Sequence, residues 1–160
     1  MSDNVPARAV YHGGQVVVER PEIREARFAK DFGVGFYCTE IKDQAIRWAT
    51  RFSGVGMLSL YEYAPSTSLD TLVFPEMSDA WLDFVVDCRL GKPHRHDIVE
   101  GPMADDAIYN YVQDFIDGKI SRAAFWELAK FRYPTHQVSF HTAAALSTLK
   151  FVKGEEVHDG

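Results

Sequence analysis

The run GMLSLYEYA, from Gly56 to Ala64, limits the fold more than any other part of the chain. It alternates as a strand does. Met57, Ser59, Tyr61 and Tyr63 share one face; Leu58, Leu60 and Glu62 share the other, which is partly polar. The segments around it do not follow a regular strand–helix–strand order. Residues 7–13 (ARAVYHG) read as a first strand ending at Gly13-Gly14, and QVVVE (15–19) as a short second one. PEIREARFAKD reads as an irregular or partly helical connection. Thr39 is placed to cap a helix over TEIKDQAIRWATRF, with Ile41, Ala45, Trp48, Ala49 and Phe52 at helical spacing.

Ser78 is placed to cap a second helix, striped by Trp81, Phe84, Val85 and Cys88. GKPHRH is a loop and DIVEGP a short strand closed by Gly101-Pro102. ADDAIYNYVQDFIDG reads as a helix with Ile108, Val112, Phe115 and Ile116 inward; Gly118 ends it, and SRAAFWELAKFR is a further helix. HQVSFHT is a strand, Thr142 caps a short helix, and LKFV is a last strand. Short strands with helices inserted between them favour an α+β fold.

Length and composition suit one domain over residues 1–160, with flexible ends at about 1–6 and 154–160. Apolar residues make up 46% of the chain, enough for a core. No apolar run reaches the length of a membrane span, and MSDNVPARAV lacks the pattern of a secretory signal. Cys38 and Cys88 are then expected as buried thiols, and the protein as cytoplasmic with no membrane partner. A net charge of −6 argues against long-range attraction to nucleic acid phosphates, but not against an anion in a locally basic cleft.

Three points at strand ends carry chemistry: His12 in YHGG, Tyr37 in DFGVGFYCT and Gln137 in QVSF. Taken singly, each is better read as structural. Strand alternation sets Gln137, Ser139 and His141 on one face and Val138 and Phe140 on the other. Carboxylates to consider beside them are Asp31, which could brace the amides of the glycine turn, Asp97, Asp105 and Asp106. The last two suit the first turn of a helix electrostatically. HRHD (94–97) offers imidazoles but no second ligand cluster, so no metal is expected. DFG without the other kinase motifs is not a kinase signal.

Taken in order, YHG, GFYCT and QVSF resemble the H-Y-E pattern of the ADP-ribosyltransferase superfamily. A narrower resemblance covers nearly the whole chain. YHGG, DFGVGFYCT, QAIRWA, WLDFVVDCR, DIVEGPMADD and QVSFHTAAAL follow a bacterial family of uncharacterised domains usually placed beside those transferases. The resemblance implies a split antiparallel β-sheet core with inserted helices. It implies NAD as substrate, and an acceptor that is a protein, nucleic acid or small molecule. A toxin with a small antitoxin partner is one form such an enzyme takes.

By the same resemblance His12 meets a ribose hydroxyl, the Gly13 backbone bonds the nicotinamide amide, and Tyr37 stacks on the nicotinamide ring. Gly35 and Thr39 complete the binding segment, and Gln137 stands where active transferases usually carry Glu. A Gln accepts hydrogen bonds but carries no charge to stabilise a cationic transition state. The resemblance therefore leaves two readings: a mono-ADP-ribosyltransferase, with one of the four Asp residues supplying the charge or with slow or substrate-assisted chemistry, or a catalytically silent nucleotide- or protein-binding module. A third, from another class, is a nucleotide-handling enzyme using Asp97, Asp105 or Asp106.

Overall fold

The strand at the centre of one sheet is the alternating segment, now β3 (Val55–Tyr63). In the computed structural model, which describes residues 6–24, 30–104, 106–130 and 134–159, it pairs on one side with β1 (Arg8–Gly14). On its other side lies β7 (Leu149–His158), and both pairings are antiparallel. A second sheet runs in the order β2 (Phe36–Cys38), β6 (Gln137–Phe140), β5 (Ile98–Gly101), β4 (Thr71–Val73), with β4 parallel to β5 and the other pairs antiparallel. The architecture is α+β.

The two sheets face each other. Val10, Tyr61 and Tyr63 from the first meet Phe36, Cys38, Ile98, Val138 and Phe140 from the second in one buried cluster. The Tyr63 and Phe140 rings meet at right angles 5.3 Å apart. Helix α1 (Lys42–Thr50) covers the outer face of the first sheet through Ala45 and Ala49. Helices α2 (Asp79–Arg89), α3 (Asp106–Ile116) and α4 (Arg122–Ala129) cover the outer face of the second. There Trp81, Val85, Val112 and Phe125 are fully buried, each large side chain contributing about 1.5–3 kcal/mol. A short α5 (Ala143–Leu146) links β6 to β7.

The expected caps hold at two helices. Ser78 accepts from Trp81 N–H and Thr142 from Ala145 N–H. Thr39 does not cap. Helix α1 begins at Lys42, and the Thr39 hydroxyl accepts instead from Ile41 N–H at 3.0 Å, before the helix starts. Phe52 does not face inward; it is 78% exposed, beyond the end of α1.

QVVVE is not a strand. Val18 N–H donates to Ser59 Oγ and Val18 C=O accepts from Tyr61, so side chains of β3 satisfy this backbone instead of a neighbouring strand. The chain end expected to fray from 154 is part of β7, whose pairing with β3 runs to His158. Strand β4 has no counterpart in the sequence reading. The 21–31 connection lies partly outside the described residues. No described helix is long and apolar enough to cross a membrane.

Candidate functional site

Strands β1 and β2 are edge strands of different sheets, and they touch at one bridge. Tyr11 N–H donates to Thr39 C=O at 2.8 Å, and Thr39 N–H to Tyr11 C=O at 2.9 Å. A continued antiparallel ladder would next bond Gly13 to Tyr37. It does not. His12 Nδ1 lies 2.7 Å from Tyr37 C=O and takes that acceptor. The imidazole also stacks on Phe36, ring centroids 4.4 Å apart. His12 thus wedges the strands into a fork. Because backbone groups alternate along a strand, Gly13 N–H and C=O point the way Tyr11's do, into the split.

The carbonyl accepts only, so His12 carries its proton on Nδ1 and presents Nε2 as an acceptor. Burial pushes its pKa below the ordinary value, which keeps it neutral at pH 7.

The other side of Gly13 is closed. A Cβ there would lie 2.0 Å from Ala45 C=O, and one on Gly56 would lie 2.1 Å from Ala49 C=O. The missing side chain serves the approach of α1 to the sheet, a reason for this glycine that does not involve a ligand. Gly13→Ala is accordingly expected to lower the unfolding free energy by about 1–3 kcal/mol in a denaturant titration. A loss under a few tenths would mean that α1 moves aside freely.

Tyr37 is 9% exposed and belongs to the core under α2 and α3. Its hydroxyl donates to Gly33 C=O at 2.6 Å and accepts from Phe32 N–H at 3.0 Å. Burial pushes its pKa well up. One ring face is reached by Lys30, whose Nζ stands 5.8 Å from the centroid. Burial first, then the charge of Arg51, hold the Lys30 ammonium below its ordinary pKa. Arg51 itself lies over exposed Phe52 at the end of α1, where Gln15 donates to Ala49 C=O. Lys30 therefore stands at the mouth of the fork, with Arg51 near enough to repel it.

Gln137 is not at that mouth but 4% exposed behind it. Its amide donates to Asp31 at 3.0 Å and to Pro102 C=O at 3.3 Å. Asp31 does not brace the glycine turn. It accepts from Gln137, from Ala104 N–H at 2.7 Å and from Arg89 at 3.2 Å. Burial pushes the Asp31 carboxyl up while Arg89 and the other two donors pull it down. Three donors converge on its two oxygens, an arrangement suited to the ionised form. The structure thus brings one of the four expected carboxylates to Gln137, already neutralised by Arg89.

Asp97 is elsewhere, accepting from Thr142 at 2.6 Å and from Asp70 N–H at 3.0 Å. Asp105 lies outside the described residues; Asp106 begins α3. Thr39 is buried at the bridge, and Gly35 packs so closely on His141 that a Cβ would meet its ring at 2.7 Å.

A second cluster, unforeseen in the sequence, sits at the opposite end of β1. Glu40, Glu100 and His136 hold ligand-type atoms within 4.8 Å of one another. His136 Nδ1, however, accepts Glu40 N–H at 3.0 Å, and Nε2 donates to Glu100 at 2.6 Å. A metal-bound imidazole needs an acceptor behind it, and here a donor stands in that place. Arg8 bonds both glutamates. Burial works to raise the Glu100 pKa, but the bonds from His136 and Arg8 outweigh it and hold the group down to about 2. The cluster is an ion-pair lock between β1, β5 and β6. A pocket of about 290 Å³ adjoins it, lined by Arg8, Tyr63, Thr71 and Glu100 among others.

Fold and site together define an α+β domain of two facing sheets, hinged at one bridge and wedged apart by a histidine. The chain belongs to the family described as "protein of unknown function (DUF3990)", whose sequence profile matches residues 9–151. That description names no activity. A search of curated proteins finds no match.

Proposed function

We propose that this protein binds NAD in the fork between β1 and β2 and transfers its ADP-ribose to an acceptor, on an ADP-ribosyltransferase-like split sheet. The observation that carries this reading is the His12 wedge, which stops the ladder and leaves the Gly13 backbone facing the seam with β2. A carboxamide offers a donor and an acceptor and suits a glycine N–H and C=O side by side. His12 Nε2 is available to accept from a ribose hydroxyl. Lys30 and Arg51 suit the negative diphosphate, and a cationic nicotinamide ring would replace the Lys30 ammonium over Tyr37.

Bond breaking between ribose and nicotinamide leaves positive charge on the sugar. Holding the dinucleotide so that the acceptor can approach the freed carbon is the main contribution such a site offers. Gln137 favours a second reading. Its amide hydrogens are engaged, its burial is nearly complete, and its carboxylate neighbour is paired to Arg89. On that reading the fork binds the nucleotide and does not turn it over.

Calorimetric titration with NAD and ADP-ribose, followed by a nicotinamide-release assay with cell extract, separates the two. Binding is expected, and His12→Ala should weaken it by about ten-fold, the worth of one hydrogen bond. Lys30→Glu and Arg51→Glu should weaken it further and reduce its salt dependence. Release of nicotinamide supports the transferase, and binding without release supports the silent module. Absence of binding at millimolar NAD sinks both.

A further inference from the structure

The turn that leads into β2 is held by its carbonyls. Three in succession each accept from a different side chain: Phe32 from His94 Nε2 at 2.9 Å, Gly33 from the Tyr37 hydroxyl at 2.6 Å, and Val34 from His141 Nδ1 at 2.7 Å. The donors come from the loop before β5, from β2, and from the residue after β6. Gly33 has φ +86, a left-handed backbone that suits glycine. The turn therefore depends on these tethers as much as on its own sequence.

Carbonyls accept only, so the tautomers are assigned. His94 carries its proton on Nε2 and His141 on Nδ1. The remaining nitrogens differ. His94 Nδ1 accepts from His96 N–H at 3.1 Å. His141 Nε2 lies 2.6 Å from Ser139 Oγ, which is also 3.2 Å from Val99 C=O. The His94 and His141 rings meet edge-on with centroids 4.4 Å apart, and the His96 ring is 5.4 Å from that of His94.

We propose that His94 and His141 are positioning residues for the fork: neutral, they hold the 32–35 turn against β2, and on protonation they release it, opening the Tyr37 side of the seam. A proton on His94 would set Nδ1–H against His96 N–H, so the ring must turn and leave Phe32. A proton on His141 is tolerated locally, because Ser139 can redirect its hydroxyl to Val99. It nevertheless adds a cation beside a second imidazole.

The surrounding charges do little to offset this. Asp70 binds His96 Nδ1 at 2.8 Å. Asp97 is engaged by Thr142 and Asp70 N–H, and Arg95 is exposed. Lys30 adds a like charge beyond Tyr37, and Asp31 behind Tyr37 is committed to Arg89. Tyr37 is neutral throughout the range. Burial first, then neighbouring imidazoles, push His141 down to about 4; burial likewise lowers His94. A released imidazole titrates near ~6.5. The closed turn is thus fully favoured above that pH and loses stability as pH falls toward about 4.

The regulatory meaning of this release rests on the fork being a nucleotide site, but the release does not, and its test contains no nucleotide. Hydrogen exchange of amides 32–37 is measured on the full chain at pH 7.0 and pH 4.5, corrected for intrinsic rates, with β3 as internal reference. Protection of 32–37 relative to β3 is expected to fall by on the order of ten- to a hundred-fold, the effect of one proton taken up two pH units below its free pKa. His94→Gln keeps an N–H donor and cannot titrate, so its loss of protection at pH 4.5 should be clearly smaller than the wild type's, the His141 step alone remaining. His94→Ala should lose it at both. Unchanged protection in the wild type at pH 4.5, an equal loss in β3, or a wild-type pH response in His94→Gln would each overturn the proposal.

Discussion

Arg89→Ala is expected to lower the unfolding free energy by about 3–5 kcal/mol, the largest effect of any single substitution considered for this chain. Its guanidinium is 2% exposed, bonds Asp31 at 3.2 Å and Tyr109 C=O at 2.9 Å, and lies 3.8 Å from the Tyr109 ring centroid. Removing it leaves the Asp31 carboxylate buried without its countercharge, and leaves a cavity beneath α3. Asp31 in turn holds the start of α3 through Ala104 N–H and the start of β6 through Gln137. The loss should therefore appear as a lower denaturation midpoint with an unchanged slope. A change below about 1 kcal/mol would show that water reaches Asp31 readily.

Gln137→Glu tests the proposed transferase reading directly. The substitution sets a Glu where the H-Y-E pattern that the sequence resembles would place one, as the proposed transferase reading requires. It also sets a second carboxyl beside Asp31, at a position now joined by a 3.0 Å hydrogen bond and closed from water. Like charge and burial both raise the pKa of the new carboxyl. A carboxyl raised in the folded state penalises folding above its folded pKa, and the penalty fades as pH falls. The variant should be destabilised by on the order of 3 kcal/mol at pH 7.5 and by clearly less at pH 5. Thermal unfolding across that range checks the sign. A variant as stable as wild type at pH 7.5, with nicotinamide release gained, would mean that residue 137 swings toward the fork when charged.

Much of the helical framework was legible in the sequence because its signals are local. Ser78 and Thr142 cap where they were expected to, and Gly118 adopts φ +74 just past α3. The facing of β3 followed from alternation alone. Segments whose backbone is satisfied by distant side chains were not legible. QVVVE has strand composition, yet Ser59 and Tyr61 take its hydrogen bonds. Thr39 has N-cap chemistry, yet the bridge to Tyr11 captures its backbone three residues before the helix begins. The polar tail is a strand because β3 offers it a partner, which KGEEVH alone cannot reveal.

The candidate site divides in the same way. The sequence by itself determined which chemical groups the chain owns and their order along it: a histidine before two glycines, a tyrosine after a glycine turn, and a glutamine opening a late strand. Only the tertiary structure decided where each group points. It turned Gly13 toward α1 on one face and the seam on the other, spent the Tyr37 hydroxyl on its own turn, and buried Gln137 against Asp31 and Arg89. The physical reason is that a hydrogen bond or ion pair joins residues 58 or 106 positions apart as readily as neighbours. Its strength depends on the burial that packing creates, and no local pattern of residues encodes that.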